Sequence, residues 1–308
     1  MPSPALPRLF TLGAPLLLCA CASACASAAP SSLPPAAPTP VALPPATPPF
    51  PPTRAGITDA VELLDPGAEP RRSILMRPSP GASRTVDFTF TNSTQVLGDA
   101  AARVRRPRIA TKMHLVARMT LAEVTGGGAT WTVAITTAEV LPFEGMSDEF
   151  LRGEDAAMAP VRGATGRFTV GAGGGADPVE VETAGLDEKS AASRTKMVTL
   201  VLAPFALRRP AVPVGTGARW RLAIEGGAQA DCGLRPAGDV LFRCVGTSHQ
   251  EGSNGSVDMD IQAEHHLDPA SGIVTSTVTR SVVKMVAPGD DGQPVPMESH
   301  VEMRFDVR

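Results

Sequence analysis

Apolar side chains recur at every second position along much of the chain, a pattern typical of β-strands. In segment 84–92, Val86, Phe88 and Phe90 fall on one face, and polar residues fall on the other. Segments of this kind continue to the end of the chain, at 113–124, 131–140, 164–170, 179–183, 219–225, 240–246, 256–266, 273–286 and 297–307. The chain beyond about residue 57 is therefore predicted to be mainly β.

Glycine and proline clusters separate these segments and predict antiparallel connections. Gly126–Gly128 joins one pair of segments, and Gly171–Gly175 joins the next. We expect a curved antiparallel sheet or half-barrel. Segments 78–81 and 213–217 are similar turn sequences that each precede a strand. This repeat predicts two related β halves, 57–186 and 187–308.

Two segments near the middle of the chain favour helix. Ser147–Met158 begins with an N-capping serine followed by two acidic residues, and Asp187–Leu202 ends just before Pro204. The β-rich domain is therefore expected to contain one or two helices.

Residues 1–28 have the features of a signal peptide. Arg8 precedes a short apolar run, Leu9–Leu18, which is followed by small residues. The run is too short to span a bilayer as a helix, so export is predicted. No later stretch is apolar over eighteen residues, and no transmembrane helix is expected in the mature chain.

The sequence Leu-Cys-Ala-Cys at 18–21 resembles the bacterial lipobox. This resemblance implies that Cys21 becomes the lipid-modified N-terminus and that a membrane is the first partner. Ala22 occupies the position where an Asp retains many lipoproteins in the inner membrane, which favours the outer membrane. The alternative is cleavage after Ala28, which would leave a soluble secreted or periplasmic protein.

Residues 29–56 form a low-complexity linker. Eleven prolines occur in the 25 residues 30–54, a composition that favours extended polyproline conformation and forms no core. At about 3.1 Å per residue the segment reaches roughly 75 Å. We therefore predict a disordered stalk between the anchor and the β domain.

Composition narrows the classes of ligand. The net charge of −3 gives no basis for nucleic-acid binding, and aromatic residues make up only 4%, with no Tyr. A stacking platform for bases or sugars is therefore hard to build. No cofactor motif is present, and none is expected.

Two cysteines lie in the β-rich region, Cys232 and Cys244, with turn residues between them. In an oxidising compartment such a pair is more often a disulfide than a metal site. We predict a structural disulfide.

Ligand-capable side chains cluster at one place only. Glu264, His266 and Asp268 share one strand face, with His265 on the other, so they form a weak candidate for a zinc-type site if His249 or His300 is adjacent. The alternative is a solvated strand end, which we favour. The enzymatic function that this cluster suggests, as an alternative, is that of a metal-assisted hydrolase.

A basic patch follows the first long strand and consists of Arg103, Arg105, Arg106 and Arg108. Arginine binds phosphate bidentately, so the patch is a candidate contact for anionic lipid headgroups or polysaccharide. A solvated loop is the alternative.

The string Ala-Val-Pro-Val-Gly-Thr-Gly-Ala-Arg-Trp at 211–220 resembles a phrase found in uncharacterised bacterial exported β-rich proteins, many of them lipoproteins. The closing string Leu-Asp-Pro-Ala-Ser-Gly-Ile-Val-Thr-Ser at 267–276 is also similar to theirs. The resemblance covers about residues 75–308, implies a curved antiparallel sheet and transfers no catalytic residue. By analogy alone, the shape is similar to that of periplasmic lipoprotein carriers, whose half-barrels hold acyl chains.

Together these features predict a non-enzymatic cell-envelope lipoprotein whose β domain binds an apolar ligand or an envelope protein. A metal-assisted hydrolase and a purely structural surface protein are the alternatives.

Overall fold

The computed structural model describes residues 61–102, 108–125, 127–143, 146–223, 229–235, 240–252, 255–288 and 293–308. In this part of the chain, twelve strands form one antiparallel sheet accompanied by two helices, so the predicted mainly β antiparallel fold is confirmed. The strands are β1 (Val61–Asp65), β2 (Ser83–Val96), β3 (Arg108–Thr125), β4 (Gly128–Leu141), β5 (Thr165–Gly171), β6 (Glu180–Val181), β7 (Arg219–Ala223), β8 (Gln229–Leu234), β9 (Val240–Gly252), β10 (Gly255–Leu267), β11 (Val274–Pro288) and β12 (Pro294–Val307). The helices are α1 (Asp148–Met158) and α2 (Glu188–Leu202).

The sheet is open and uncurled, with the order β1-β7-β8-β9-β10-β11-β12-β2-β3-β4-β5-β6, so the expected curved sheet or half-barrel is wrong: β1 and β6 stay as two separate edges. Most neighbours in the sheet are also neighbours in sequence, as expected for antiparallel strands joined by short turns. Two pairings depart from this pattern: β12 pairs with β2, and β1 pairs with β7 at one edge. The two related halves remain a prediction from the sequence.

Both helices begin where the sequence predicts. The Ser147 hydroxyl accepts a hydrogen bond from the Phe150 backbone N–H at 3.2 Å, and the Asp187 carboxylate accepts one from Ser190 N–H at 3.0 Å. Each bond satisfies an otherwise unpaired N–H of the first helical turn. Neither helix in this part of the chain is long and apolar enough to cross a bilayer.

Two irregular segments, 66–82 and 203–218, hydrogen-bond to each other and to turns of the sheet, and we call them the straps. Arg72 and Val214 exchange backbone hydrogen bonds at 2.9 Å between the two straps. Arg77 N–H donates to the Ser271 carbonyl at 2.6 Å in the β10–β11 turn, and Arg209 N–H donates to the Gly173 carbonyl at 2.7 Å. The straps therefore cover one end of the sheet, called here the strap end.

The strands bury alternate side chains on one face, which we call the inner face. In β2, Val86, Phe88 and Phe90 are buried, and in β12 the buried set includes Met303 and Phe305. The opposite, outer face carries charged and hydroxyl side chains. This polarity follows from the period of two in the sequence.

Candidate functional site

Aromatic side chains line the inner face at its strap end. The register places Phe242, His265, Thr277, Phe305 and Phe88 next to one another on five adjacent strands, and we call this line the aromatic row. The rings of Phe88 and Phe305 have centroids 4.5 Å apart, and those of Phe242 and His265 are 4.8 Å apart. All five side chains are buried.

Four residues further along each strand, the inner face carries smaller side chains. Gly246, Ile261, Ser281, Val301 and Asn92 are aligned by the register, and we call them the small row. Ile261 and Asn92 are only half-buried. Less side-chain volume therefore stands on the sheet here than in the aromatic row.

The end of the inner face opposite the straps is lined by unbranched and β-branched side chains. Val257, Met285, Met297 and Val96 are aligned across four strands, and we call them the methionine row. Met297 is buried, whereas the other three are half-buried. Methionine is flexible and polarizable and adapts to irregular apolar partners. Val96, Met285 and Met297 pack in one cluster with Ala100 and Val295, and the row is less buried than the aromatic row.

Arg209 is a buried cation in the second strap. Its residue surface is 2% exposed, and Nη1 donates to the carbonyls of Ile74, at 3.1 Å, and Gly272. These bonds tie the first strap and the β10–β11 turn together. Burial lowers the pKa of Arg209 to about 10, so the guanidinium stays protonated at neutral pH. Its Nε has no hydrogen-bond partner among the described residues.

His265 is the second buried polar group at the strap end, and it is 5% exposed. Nδ1 lies 3.0 Å from the Thr277 hydroxyl, and within the described part of the chain Nε2 has no hydrogen-bond partner. Burial lowers the pKa of His265 to about 3, with further contributions from the positive charges of Arg209 and His266. The imidazole is therefore neutral under physiological conditions.

The outer face holds a charged cluster on its central strands. The His114 ring lies between two carboxylates, with Nδ1 2.8 Å from Glu139 Oε1 and Nε2 3.0 Å from Asp87 Oδ1. The hydrogen bond that His114 donates to the Glu139 carboxylate is the main cause of the raised pKa of His114; burial opposes this shift, and Asp87 adds to it. The three groups link β2, β3 and β4.

A cleft of about 520 Å³ lies on the outer face beside β6. Its charged lining is mixed, with Arg118 and Arg167 opposite Glu180 and Glu182, and Thr165 donates to Glu182 at 2.9 Å. Mixed, solvent-exposed charges of this kind select no particular ligand class.

The weak metal candidates do not converge. Glu264 and His266 share the outer face of β10, but Asp268 lies beyond the strand and accepts hydrogen bonds from Ala270 N–H, at 3.2 Å, and from Ser271. His249 pairs with Asp258 at 2.6 Å. Within the described ranges, no group of three or more His, Cys, Asp or Glu residues is arranged to hold a metal ion.

The remaining predicted site residues divide into two groups. Cys232 and Cys244 form a disulfide between β8 and β9, with both sulfurs on the inner face. Cys21, Arg103, Arg105 and Arg106 lie outside the described residues, and only the backbone of Arg108, the first residue of β3, is described.

Sequence reasoning missed Arg209, the inner-face role of His265 and the Asp87–His114–Glu139 cluster. Alternation does assign His265 to the face opposite Glu264 and His266. The sequence gives no strand register, however, so it does not show that Thr277 stands beside His265 or that two carboxylates flank His114. For Arg209, only the neighbouring Pro210 marked an irregular segment.

No family model matches the chain, and no curated protein matches it. Among solved structures, the chain is similar to lipovitellin, in a structure described by the words "lipid-protein interactions in lipovitellin". The match has 12% sequence identity and a TM-score of 0.44, and it covers 75% of this chain and 26% of the lipovitellin chain. The chain thus spans about a quarter of that protein's length.

Proposed function

We propose that this protein is a non-enzymatic cell-envelope lipoprotein whose sheet binds an apolar ligand on its inner face. Cys21 anchors it to a membrane through a lipid, and the stalk 29–56 holds the β domain away from the surface. The ligand lies over the small row and the methionine row.

The observation that carries this proposal is the difference in burial between the aromatic row and the half-buried residues of the small row and the methionine row. Buried aromatic side chains and straps close one end, whereas Ile261 in the small row and Val257 and Met285 in the methionine row are half-buried. Apolar side chains that stay partly exposed on a folded protein are typical of binding sites. Flexible methionine side chains also move at little cost, so an incoming hydrocarbon can displace them.

The test is a titration with the uncharged apolar fluorophore N-phenyl-1-naphthylamine. Ile261→Gln places an amide on the inner face, where it loses hydrogen bonds to water when the ligand binds. We expect the Kd to rise about tenfold, which corresponds to about 1.4 kcal/mol.

Val282→Gln is the matched control. Val282 is also half-buried in a central strand, but it belongs to the outer face, next to Ser281 of the small row. We expect its Kd to equal that of the unaltered protein. Equal effects of the two substitutions, or no binding by the unaltered protein, would refute the proposed binding face.

The anchor is tested separately in cells fed radioactive palmitate. We expect the full-length chain to incorporate label and Cys21→Ala to incorporate none. A labelled Cys21→Ala variant, or an unlabelled parent protein, would contradict the lipid anchor but would leave the binding face standing.

A further inference from the structure

We propose that the apolar ligand carries one anionic group, as a long-chain carboxylate does, and that Arg209 binds this group together with His265. The inference rests on the proposed function, because it assigns the chemistry of the ligand's head. It also assigns a direction, with the head at the strap end and the tail over the methionine row.

The guanidinium of Arg209 is the first part of the case. It is buried, and among the described residues it forms no ion pair with a carboxylate. The acceptors of its side-chain hydrogen bonds there are two backbone carbonyls. A buried charge without a counter-charge is costly, and a carboxylate is the group whose geometry matches the fork of an arginine. The Arg209 Nε, which has no hydrogen-bond partner among the residues that the structure describes, is a donor that a ligand carboxylate can use.

His265 supplies the second polar atom. When the Thr277 hydroxyl donates to Nδ1, the neutral ring carries its proton on Nε2, which then becomes a buried donor without a partner. Arg209 and His265 both lie at the strap end, because Arg209 donates to the Gly272 carbonyl in the β10–β11 turn, and the Gly272 N–H donates at 2.7 Å to the carbonyl of Asp268, three residues after His265. Two donors in an apolar setting favour an anion, because hydrogen bonds to a charged acceptor are stronger than neutral ones.

The inner face leads away from this pair along a single strand. From His265, the inner-facing residues of β10 are Ala263, Ile261, Met259 and Val257, ending in the methionine row. Eight residues of strand span about 27 Å, which accommodates a sixteen-carbon chain. Two of the four side chains, Ile261 and Val257, are half-buried.

The first test compares two sixteen-carbon ligands, hexadecanoate and 1-hexadecanol, as competitors of N-phenyl-1-naphthylamine on the unaltered protein. We expect hexadecanoate to bind at least tenfold more tightly, since hydrogen bonds to a charged acceptor are stronger than those to a neutral one. Equal affinity overturns this inference and leaves the proposed function intact. Failure of both ligands to compete, with no fluorophore binding, overturns the proposed function itself.

The second test uses Arg209→Gln. We expect hexadecanoate to lose its advantage while 1-hexadecanol keeps its affinity. Arg194→Gln is the matched control, because Arg194 also donates to two backbone carbonyls, those of Pro160 at 2.7 Å and Glu182 at 2.9 Å. A full preference for hexadecanoate in Arg209→Gln overturns the inference.

His265→Gln keeps the test decisive if Arg209→Gln does not fold. We expect a three- to tenfold weaker preference for hexadecanoate in this variant. An undiminished preference would contradict the claim that His265 binds the anionic group together with Arg209. Acetate at millimolar concentration tests the head group alone, and we expect it to displace no fluorophore because it lacks the tail.

Discussion

At the scale of single residues, His114 shows how the polar face contributes to stability. Its imidazole bonds Asp87 on one side and Glu139 on the other, so the protonated form is held between two negative charges. The folded-state pKa of His114 is accordingly raised above the ordinary value. Because this pKa is raised, His114 stabilises the fold most at pH values low enough for its ring to be protonated in both the folded and the unfolded state.

We predict a pH-dependent effect of His114→Gln. The contribution of the histidine is complete below its unfolded pKa of about 6.5 and is lost as the pH rises through the raised folded pKa. Urea unfolding should therefore show a loss of about 1 kcal/mol at pH 6 and a smaller loss at pH 9. His300→Gln, which removes an exposed histidine with one carboxylate partner at 2.9 Å, is the control. An equal loss at both pH values would contradict this assignment.

The sequence predicts which face of the sheet a residue occupies better than it predicts which residues its side chain contacts. The inward direction of Val86, Phe88 and Phe90 follows from alternation alone, and the helix caps Ser147 and Asp187 follow from local hydrogen bonding. Contacts such as the one between His265 and Thr277 depend on register, which long-range packing determines. The contacts of Arg209 also depend on long-range packing, so the sequence did not include Arg209 among the predicted site residues.

At the scale of elements, short strands were harder to predict than long ones. β1 and β8 were missed, whereas the long strands β9 to β12 were expected. β1, Val61–Asp65, contains two adjacent leucines and shows no period of two, and its partner β7 supplies the pairing. β8 alternates, but its inward residues Ala230 and Cys232 are small and give a weak signal.

The second strap packs against the glycine loop that follows β5, and Gly174 makes this approach possible. Its φ is 81°, and a Cβ at this position would lie 1.9 Å from the Leu207 carbonyl oxygen. Any larger residue therefore meets both backbone strain and a steric clash. The second strap can lie this close to the glycine loop because Gly174 has no side chain.

We predict that Gly174→Ala lowers the free energy of unfolding by about 3 kcal/mol, the sum of left-handed strain and displacement of the strap. Gly185→Ala is the matched control, since Gly185 has φ 76° and no atom within 4 Å of an added Cβ. It should lose only about 1 kcal/mol. Chemical denaturation measures both values, and equal losses would contradict the close strap packing.

At the scale of the whole β domain, the sheet has two unlike faces and its inner face has two unlike ends. The outer face carries exposed ion pairs, such as the pair of Arg280 with Glu302 at 2.9 Å. On the inner face, straps and aromatic side chains seal one end, and half-buried apolar side chains occupy the other. We therefore expect an apolar ligand to enter at the methionine row.

Photo-crosslinking with a neutral sixteen-carbon alcohol that carries a diazirine near its tail tests this account most directly. After irradiation and proteolysis, mass spectrometry locates the modified residues. The account predicts adducts on inner-facing residues of β10 and β11, foremost Val257, Ile261 and Met285. Adducts confined to outer-facing residues such as Val245 and Val282, or no saturable labelling, would contradict it.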